Sequence, residues 1–248
     1  MTDAAIPAST LVVMREKDGR APDLLTVTRG RAMAFAGGAV AFPGGRIDRA
    51  DHQLAEGLDD ALAPWKIAAI RETIEETAVA VGLFPVPSTE LALKLQDRLQ
   101  DGADFAASLA GLGLHLDLSA LTPFARWKPA FAHARIFDTI FFIAAAPPGD
   151  WQPHPQPGEC ESAEWIGAAA MLDRIEKGDA HAIFPTKRNL ERLAQFGSLN
   201  EALEDAAAFP IDTITPWVAD VGGEQHVCIP GDRGYPVTSE PLVTAFRA

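Results

Sequence analysis

The stretch IAAIRETIEETAVAVGL, residues 67–83, places three glutamates and an arginine within six consecutive positions of an otherwise apolar run. Its apolar residues recur at intervals of three and four, as on the core-facing side of a helix: Ile67, Ile70, Ile74, Ala78 and Val81. Pro64 suits the first turn of such a helix, and Gly82 is its predicted end. The stretch therefore predicts an amphipathic helix that carries a dense acidic cluster.

The acidic cluster is electrostatically unfavourable on its own. Residues three and four apart are neighbours on a helix, so Glu72 lies beside Glu75 and Glu76. Each like-charge pair costs roughly 0.2–0.5 kcal/mol unless a cation gathers the carboxylates. Magnesium prefers oxygen ligands of this kind. The cluster is either a solvated polar face or a metal-binding face, and its context has to decide between them.

Composition limits the kinds of partner that the chain can bind. The formal net charge of −13 over 248 residues argues against a nucleic-acid or anionic-membrane binder, which needs a basic surface. An anionic small molecule stays compatible with this charge, because a divalent cation reverses the local sign. The two cysteines, Cys160 and Cys228, are too few for a disulfide framework or a cysteine-type zinc site.

The N-terminal residues lack the basic segment of a signal peptide, and no apolar run reaches the roughly 18 residues of a transmembrane helix. We therefore expect a cytoplasmic protein. With 48% hydrophobic and 22% charged residues, the chain has the composition of a globular domain with a sizeable core.

The remaining segments predict strands and helices in one mixed α/β domain. Strands are predicted at 9–16, 23–30, 39–42, 124–130, 135–147 and 162–167, with 135–147 central in the sheet because it is apolar on both faces. Further helices are predicted at 89–102, 103–114, 168–178, 185–196 and 198–209. Segment 46–63 is predicted to be a loop with one short helical turn, 162–167 the last strand of the main sheet, and the tail from Pro210 a small hairpin.

The run FPGG at 42–45, followed by RETIEET at 71–77, resembles the Nudix hydrolases. The family signature is a glycine, five residues, a glutamate, seven residues, Arg-Glu, an apolar residue, any residue, Glu-Glu, any residue, a glycine and an apolar residue. The matching residues are Gly45, Arg71, Glu72, Glu75, Glu76 and Val79. Beside this run, the metal-binding interpretation of the acidic cluster is strongly favoured.

The chain departs from the signature between its two halves. Arg71 follows Gly45 by 26 positions rather than 14, which indicates an insert of about 12 residues. The lone glutamate, counted eight positions back from the arginine, corresponds to Ala63. Acidic residues of the insert could replace it, and the sequence leaves open which: Asp48, Asp51, Glu56, Asp59 or Asp60. Thr73 and Ala78 also stand where an apolar residue and a glycine are usual.

The resemblance extends over residues 8–195 and favours one branch of the family. Arg29, Gly38 and the pair Asp48 and Asp51 match the approach to the motif in coenzyme A diphosphatases, although Ala34 and Ala36 replace the usual arginine and histidine. The long insert and the later segments are more similar to the acyl-coenzyme A diphosphatases. The implied fold is an α/β/α sandwich with a mixed sheet, a core at 8–195 and a C-terminal helical extension at 196–248.

The resemblance implies a reaction and a set of site residues. Nudix enzymes use Mg²⁺ or Mn²⁺ and water to cleave a diphosphate linkage. The implied metal ligands are Glu72, Glu75 and Glu76, with Arg71 fixing a glutamate carboxylate. The implied catalytic residues are Arg71, Glu72 and Glu161, because the family takes its general base either from a motif glutamate or from an acid on a later loop. Among the later acids, Glu161 is preferred over Glu159 and Glu164. The phosphate contacts are assigned to Arg29, Gly44, Gly45 and Arg46.

The expected substrate is a nucleotide-containing small molecule, with coenzyme A or an acyl derivative favoured. ADP-ribose or a dinucleotide is the alternative within the class. A non-catalytic ligand sensor is the alternative outside it, but such modules usually lose motif glutamates that this chain keeps. The C-terminal tail could also pack across a homodimer interface.

Overall fold

The computed structural model describes residues 5–33, 36–129 and 136–245 of the chain. The strands are β1 (Ile6–Lys17), β2 (Arg20–Arg29), β3 (Val40–Ala41), β4 (Gly44–Arg46), β5 (Leu83–Phe84), β6 (His115–Leu116), β7 (Thr122–Trp127), β8 (Phe137–Ala145), β9 (Cys160–Gly167), β10 (Thr213–Ile214), β11 (Trp217–Val221), β12 (Glu224–Cys228) and β13 (Ser239–Pro241). The helices are α1 (Arg49–Leu54), α2 (Ala63–Thr77), α3 (Thr89–Gln100), α4 (Phe105–Leu112), α5 (Ala168–Lys177), α6 (Phe184–Leu193), α7 (Leu199–Ala208) and α8 (Leu242–Ala245).

Eight strands form the main sheet, which is mixed. Its main path runs β10-β7-β8-β1-β2-β3, with β4 paired to β1 and β9 paired to β2. The β1–β8 and β7–β10 pairs are parallel, and the other neighbours are antiparallel. The strand predicted to be central, β8, lies between β7 and β1 and is buried through most of its length.

The sheet splits along the boundary between β1 and β2, and this split positions the site. The second half of β1 pairs with β2, where Met14 lies opposite Leu24. The first half pairs instead with β4, where Ser9 lies opposite Gly45. On the other side of the gap, β2 pairs with β3 and β9. The two halves of the sheet therefore diverge around β4, which carries the two glycines of FPGG.

Two apolar clusters cover the two faces of the sheet, as in the expected α/β/α sandwich. One cluster contains the predicted stripe of α2, in which Ile67, Ile70 and Ile74 are completely buried, together with residues of α3 and α4. The other joins the sheet to α5, α6 and α7. Helix α2 is thus held against the sheet by its apolar side, which fixes the direction of its acidic residues.

Helix α2 ends earlier than predicted. Its last residue is Thr77, and Ala78 caps it in the left-handed conformation at φ 57°, so the prediction that Gly82 ends the helix is wrong. A left-handed cap favours glycine, since glycine has no Cβ to clash there. This conformation explains why the family pattern has a glycine at the position of Ala78.

Most other predicted elements are present, with boundaries shifted by a few residues. The short helical turn predicted in the insert is α1, and the hairpin predicted in the tail is β11–β12. The prediction that 162–167 is the last strand of the main sheet is wrong, because β10 pairs with β7 at the sheet edge. The predicted strand ends within 130–135, and Ala34, lie outside the described residues.

The C-terminal segment is anchored to α6 by buried polar contacts. Arg188 donates to Glu240 over 3.0 Å, and Arg192 donates through Nε to Asp205 over 2.8 Å. The hydroxyl of Tyr235 accepts a hydrogen bond from the indole of Trp127 over 2.9 Å. Within the described residues, no helix is both long and apolar enough to cross a membrane.

Candidate active site

A cavity of about 450 Å³ lies where the sheet splits. Its acidic and basic lining comes from β2, β4, α2 and the turn before β9: Arg29, Arg46, Glu72, Glu76 and Glu159. Aromatic and apolar side chains of the sheet line the rest, including Phe42, Trp127, Phe137 and Phe141. The cavity therefore combines charged groups with an apolar surface, which is the usual composition of a small-molecule site.

The two glycines of β4 bring the backbone directly against the glutamates of α2. The Gly44 N–H donates to Glu76 Oε2 over 3.1 Å. A Cβ on Gly45 would lie 2.4 Å from the carboxyl carbon of Glu72, and one on Gly44 would lie 2.3 Å from the Ser9 carbonyl oxygen. Any larger side chain at either position would displace backbone or a glutamate. The glycines are thus required for the close approach of β4 to α2.

Arg71 organises the acidic residues around it. Its Nη1 donates to Glu72 over 2.9 Å and to Glu75 over 3.1 Å. Its Nε and Nη2 donate to the two oxygens of Asp51 over 3.0 and 2.9 Å, and Nη2 also donates to the Arg46 carbonyl over 3.2 Å. Arg71 therefore fixes two glutamate carboxylates, while Asp51 fixes the guanidinium in a bidentate pair.

Asp51 is the acid of the insert that pairs with Arg71. Its side chain is 1% exposed, and it also accepts from the Asp48 N–H over 2.8 Å at the start of α1. Counting back from Arg71 led to Ala63, but Asp51 follows Gly45 by six positions, which is the distance from glycine to glutamate in the signature. The insert lies after Asp51, and counting forward from Gly45 would have identified this residue.

Burial and mutual repulsion disfavour the charged forms of the α2 glutamates. Burial raises the pKa of Glu76 to about 8, with the charge of Glu72 adding to it and the Gly44 hydrogen bond opposing it. Burial likewise raises the pKa of Glu72 to about 7, although Arg71 opposes the shift. The pKa of Glu75 is also raised, by burial first, against the opposing charge of Arg71.

These side chains provide the donor chemistry that a hard divalent cation needs. Glu72 and Glu76 are one helical turn apart and line the same cavity beside the backbone of β4. Glu75 directly precedes Glu76, and its carboxylate accepts a hydrogen bond from Arg71. In the described part of the chain, no three acidic, histidine or cysteine side chains already converge on one point. Carboxylate oxygens are ligands of the type that Mg²⁺ and Mn²⁺ prefer. In this structure, however, Glu72 and Glu75 accept hydrogen bonds from Arg71 and do not point toward a shared metal position.

The structure places Glu159, rather than Glu161, at the cavity. Glu159 lines it, and its charge contributes to the raised pKa of Glu72, Glu75 and Glu76. Glu161 lies within β9, where its carboxylate accepts from the Arg31 N–H over 3.1 Å outside the cavity lining. The position of Glu161 therefore does not support its predicted catalytic role. Sequence alone could not separate these two acids, because they lie two positions apart at the start of a strand.

The four residues assigned to phosphate contacts all lie along the cavity: Arg29, Gly44, Gly45 and Arg46. Arg29, near the end of β2, lowers the pKa of Glu76 by its charge. Arg46 follows the two glycines and supplies its carbonyl to Arg71. Positive charge and bare backbone thus lie on the same side of the cavity as the carboxylates.

Comparison with solved structures identifies the class of protein. A Nudix hydrolase from Alicyclobacillus acidocaldarius is 30% identical, with a TM-score of 0.71 over 82% of this chain and 97% of that one. The MutT protein from Methanosarcina mazei Go1 is 13% identical, with a TM-score of 0.45 over 79% of this chain and 96% of that one. The Nudix domain of Shewanella oneidensis NrtR, complexed with ADP ribose, is 15% identical, with a TM-score of 0.42 over 69% and 78%.

No protein-family model and no curated protein matches the chain. The similarity to the Alicyclobacillus enzyme nevertheless covers nearly all of that protein, and it agrees with the motif and the sheet topology. The chain belongs to the Nudix hydrolase family, and it is a hydrolase of the class that acts on diphosphate bonds.

Proposed function

We propose that this protein is a metal-dependent hydrolase that cleaves the diphosphate linkage of a nucleotide-containing small molecule. The observation that carries the proposal is the placement of Glu72 and Glu76 against the Gly44–Gly45 backbone inside one cavity. Carboxylates with Arg29 and Arg46 beside them in one cavity can hold a cation together with a negatively charged diphosphate.

The residues have separate roles in this proposal. Glu72, Glu75 and Glu76 would hold Mg²⁺ or Mn²⁺, which when bound neutralises phosphate charge and makes water more acidic. Arg71 keeps two of these carboxylates in place, and Asp51 keeps Arg71 in place. Glu159, which lines the same cavity, would accept a proton from the attacking water. Arg29 and Arg46 bind phosphate oxygens.

Coenzyme A and its acyl derivatives are the substrates that we favour. The motif approach that resembles coenzyme A diphosphatases supports this choice, and so does an apolar wall that includes Phe42, Phe137 and Phe141. This wall would contact the uncharged part of a substrate beyond its diphosphate. ADP-ribose and dinucleotides are the competing substrates, and a ligand sensor is the competing function.

A substrate panel tests the proposal directly. We expect turnover of at least one of coenzyme A, an acyl-coenzyme A, ADP-ribose and a dinucleotide with Mg²⁺ or Mn²⁺, and none with excess EDTA. Glu75→Gln is expected to lose most of the rate, about 10-fold or more, because it removes a carboxylate oxygen from the metal-binding face. Mass spectrometry of the products in ¹⁸O-labelled water identifies the bond cleaved and the phosphorus attacked. Binding of a panel member without metal-dependent turnover would instead support the sensor.

The two acids near the start of β9 give a matched pair of variants. Glu159→Gln is expected to lower kcat by about 10²-fold or more, the usual contribution of a general base, with little change in KM. Glu161→Gln removes the same charge two positions away, outside the cavity, and is expected to change kcat by less than about twofold. A large loss in Glu161→Gln with normal rates in Glu159→Gln would restore the assignment made from the sequence.

A further inference from the structure

The hydroxyl of Ser9 is a buried polar group without a partner among the residues that the structure describes. Ser9 lies in β1, is 0% exposed and lines the cavity, and its Oγ makes no hydrogen bond to any of those residues. A buried hydroxyl without a partner is destabilising, because it gives up its hydrogen bonds to water on folding and gains none in return. If this position served packing alone, alanine would fill it at lower cost. We therefore infer that the Ser9 hydroxyl gains a hydrogen-bond partner only when the cavity is occupied.

The register of β1 and β4 shows where this hydroxyl points. Ser9 lies directly opposite Gly45 in an antiparallel pair, and residues so paired present their side chains on the same face of the sheet. The side-chain direction at Gly45 leads straight to Glu72, whose carboxyl carbon lies 2.4 Å from the position a Cβ would take. Paired Cβ positions are about 5 Å apart. Ser9 and the Glu72 carboxylate thus share one small region beneath α2.

Glu72 has an oxygen available for this hydroxyl. Its Oε1 accepts from Arg71, and no hydrogen bond to its Oε2 is present among the described residues. Glu76 also has one oxygen that accepts no hydrogen bond among the described residues, but the glycine that it contacts, Gly44, lies opposite Thr10 and not opposite Ser9. An unmatched donor and an unmatched acceptor, as far as the described residues go, therefore lie on the same face of the Ser9–Gly45 pair.

We propose that Ser9 is a positioning residue for the metal site, with its hydroxyl donating to the Glu72 carboxylate when that carboxylate turns from Arg71 toward a bound cation. This inference rests on the proposed metal-dependent function. In the absence of the cation the hydroxyl is unpaired and destabilising. When the cation is bound, the hydrogen bond limits Glu72 to an orientation in which one oxygen faces the metal.

The test compares cation affinity with cation-free stability in Ser9→Ala. Titration calorimetry with Mn²⁺ alone is expected to show a 10-fold to 100-fold weaker Kd than the wild type, as for other partners that orient metal ligands. The thermal midpoint in EDTA is expected to stay unchanged or to rise, because an unpaired buried hydroxyl has been removed. A structural role for Ser9 predicts the opposite pattern, with a lower midpoint in EDTA and an unchanged Kd.

Two further variants separate hydrogen bonding from packing. Ser9→Cys keeps nearly the same volume with a much weaker donor, so it is expected to bind Mn²⁺ as poorly as Ser9→Ala. Ser108→Ala removes another buried serine, in α4 and outside the cavity lining, and is expected to leave the Mn²⁺ affinity unchanged. Wild-type affinity in Ser9→Cys, or in Ser9→Ala, overturns this inference and leaves the proposed function standing. Failure of the wild type itself to bind Mn²⁺ overturns both.

Discussion

Glu76→Gln is expected to abolish nearly all metal-dependent hydrolysis while making the cation-free protein more stable. Glu76 lies in the cavity beside β4, and loss of its charge removes a ligand of the proposed metal site, which we expect to lower kcat/KM by about 10³-fold, equivalent to several kcal/mol. The gain in stability follows from the pKa of Glu76, which burial raises to about 8 in the folded state.

The sign of the pH dependence follows from that raised pKa. A carboxyl whose pKa is higher in the folded state binds a proton on folding. Its contribution to the free energy of unfolding is therefore fully present below its ordinary pKa of 4.5 and is lost as the pH rises through about 8. Glu72, with a pKa raised to about 7, acts in the same direction. Urea unfolding in EDTA is expected to show stability falling from pH 5 to pH 8 in the wild type and falling less in Glu76→Gln.

At pH 8 in EDTA, we expect the free energy of unfolding of Glu76→Gln to exceed that of the wild type by on the order of 2 kcal/mol. Adding Mg²⁺ should stabilise the wild type by mass action and the variant much less, which reverses or closes the difference. Glu90→Gln, on the exposed first turn of α3, is the control and should match the wild type in both buffers. If Glu76→Gln is less stable than the wild type in EDTA, the charged Glu76 carboxylate does not destabilise the folded protein, and the prediction is wrong.

The parts of the site that are local in sequence could be predicted, and the parts that depend on tertiary geometry could not. Glu72, Glu75 and Glu76 lie on one side of α2 because helical spacing alone places them there, and the isoleucine stripe orients that helix. The role of Gly44 and Gly45 could also be predicted from the sequence, since two adjacent glycines after a strand indicate a close approach of the backbone. The segment patterns predicted a mixed α/β domain, and the family resemblance predicted the α/β/α sandwich.

Other contacts join residues far apart in the chain. The Asp51–Arg71 pair spans 20 positions, and although counting forward from Gly45 leads to Asp51, its contact with Arg71 depends on how α1 packs beside α2. The choice between Glu159 and Glu161 depends on the register of β9 against β2, which shifts near Arg29. The early end of α2 depends on the left-handed conformation of Ala78, which a residue with a Cβ adopts only where its surroundings favour it. None of these contacts and conformations follows from the periodicity of the sequence.

Asp51→Asn is expected to be the most damaging single substitution outside the proposed metal ligands. Asp51 is almost fully buried and holds Arg71 through two hydrogen bonds, while burial by itself would lower the pKa of Arg71. Asparagine keeps the shape but removes the bidentate anion from a buried guanidinium, which then keeps its hydrogen bonds to Glu72 and Glu75. Removing one partner of a buried ion pair costs about 3–5 kcal/mol, and the two remaining carboxylates bring the expected loss to the lower end of that range. The free energy of unfolding in urea should fall by about that amount.

The same substitution should also lower activity, because Arg71 holds Glu72 and Glu75 in place. We expect kcat/KM to fall by about 10-fold to 100-fold at a temperature where the variant is still folded, with partial recovery in Asp51→Glu, which restores the carboxylate. Asp48→Asn is the matched control: its side chain is 65% exposed and lies 3.8 Å from Arg71, so its contribution is expected to stay below about 1 kcal/mol. Equal losses in the two asparagine variants would mean that the local negative charge, rather than the bidentate pair, holds Arg71. A larger loss in Asp51→Asn alone would make Asp51 the functional replacement for the missing signature glutamate, shortened by one methylene and held by the first turn of α1.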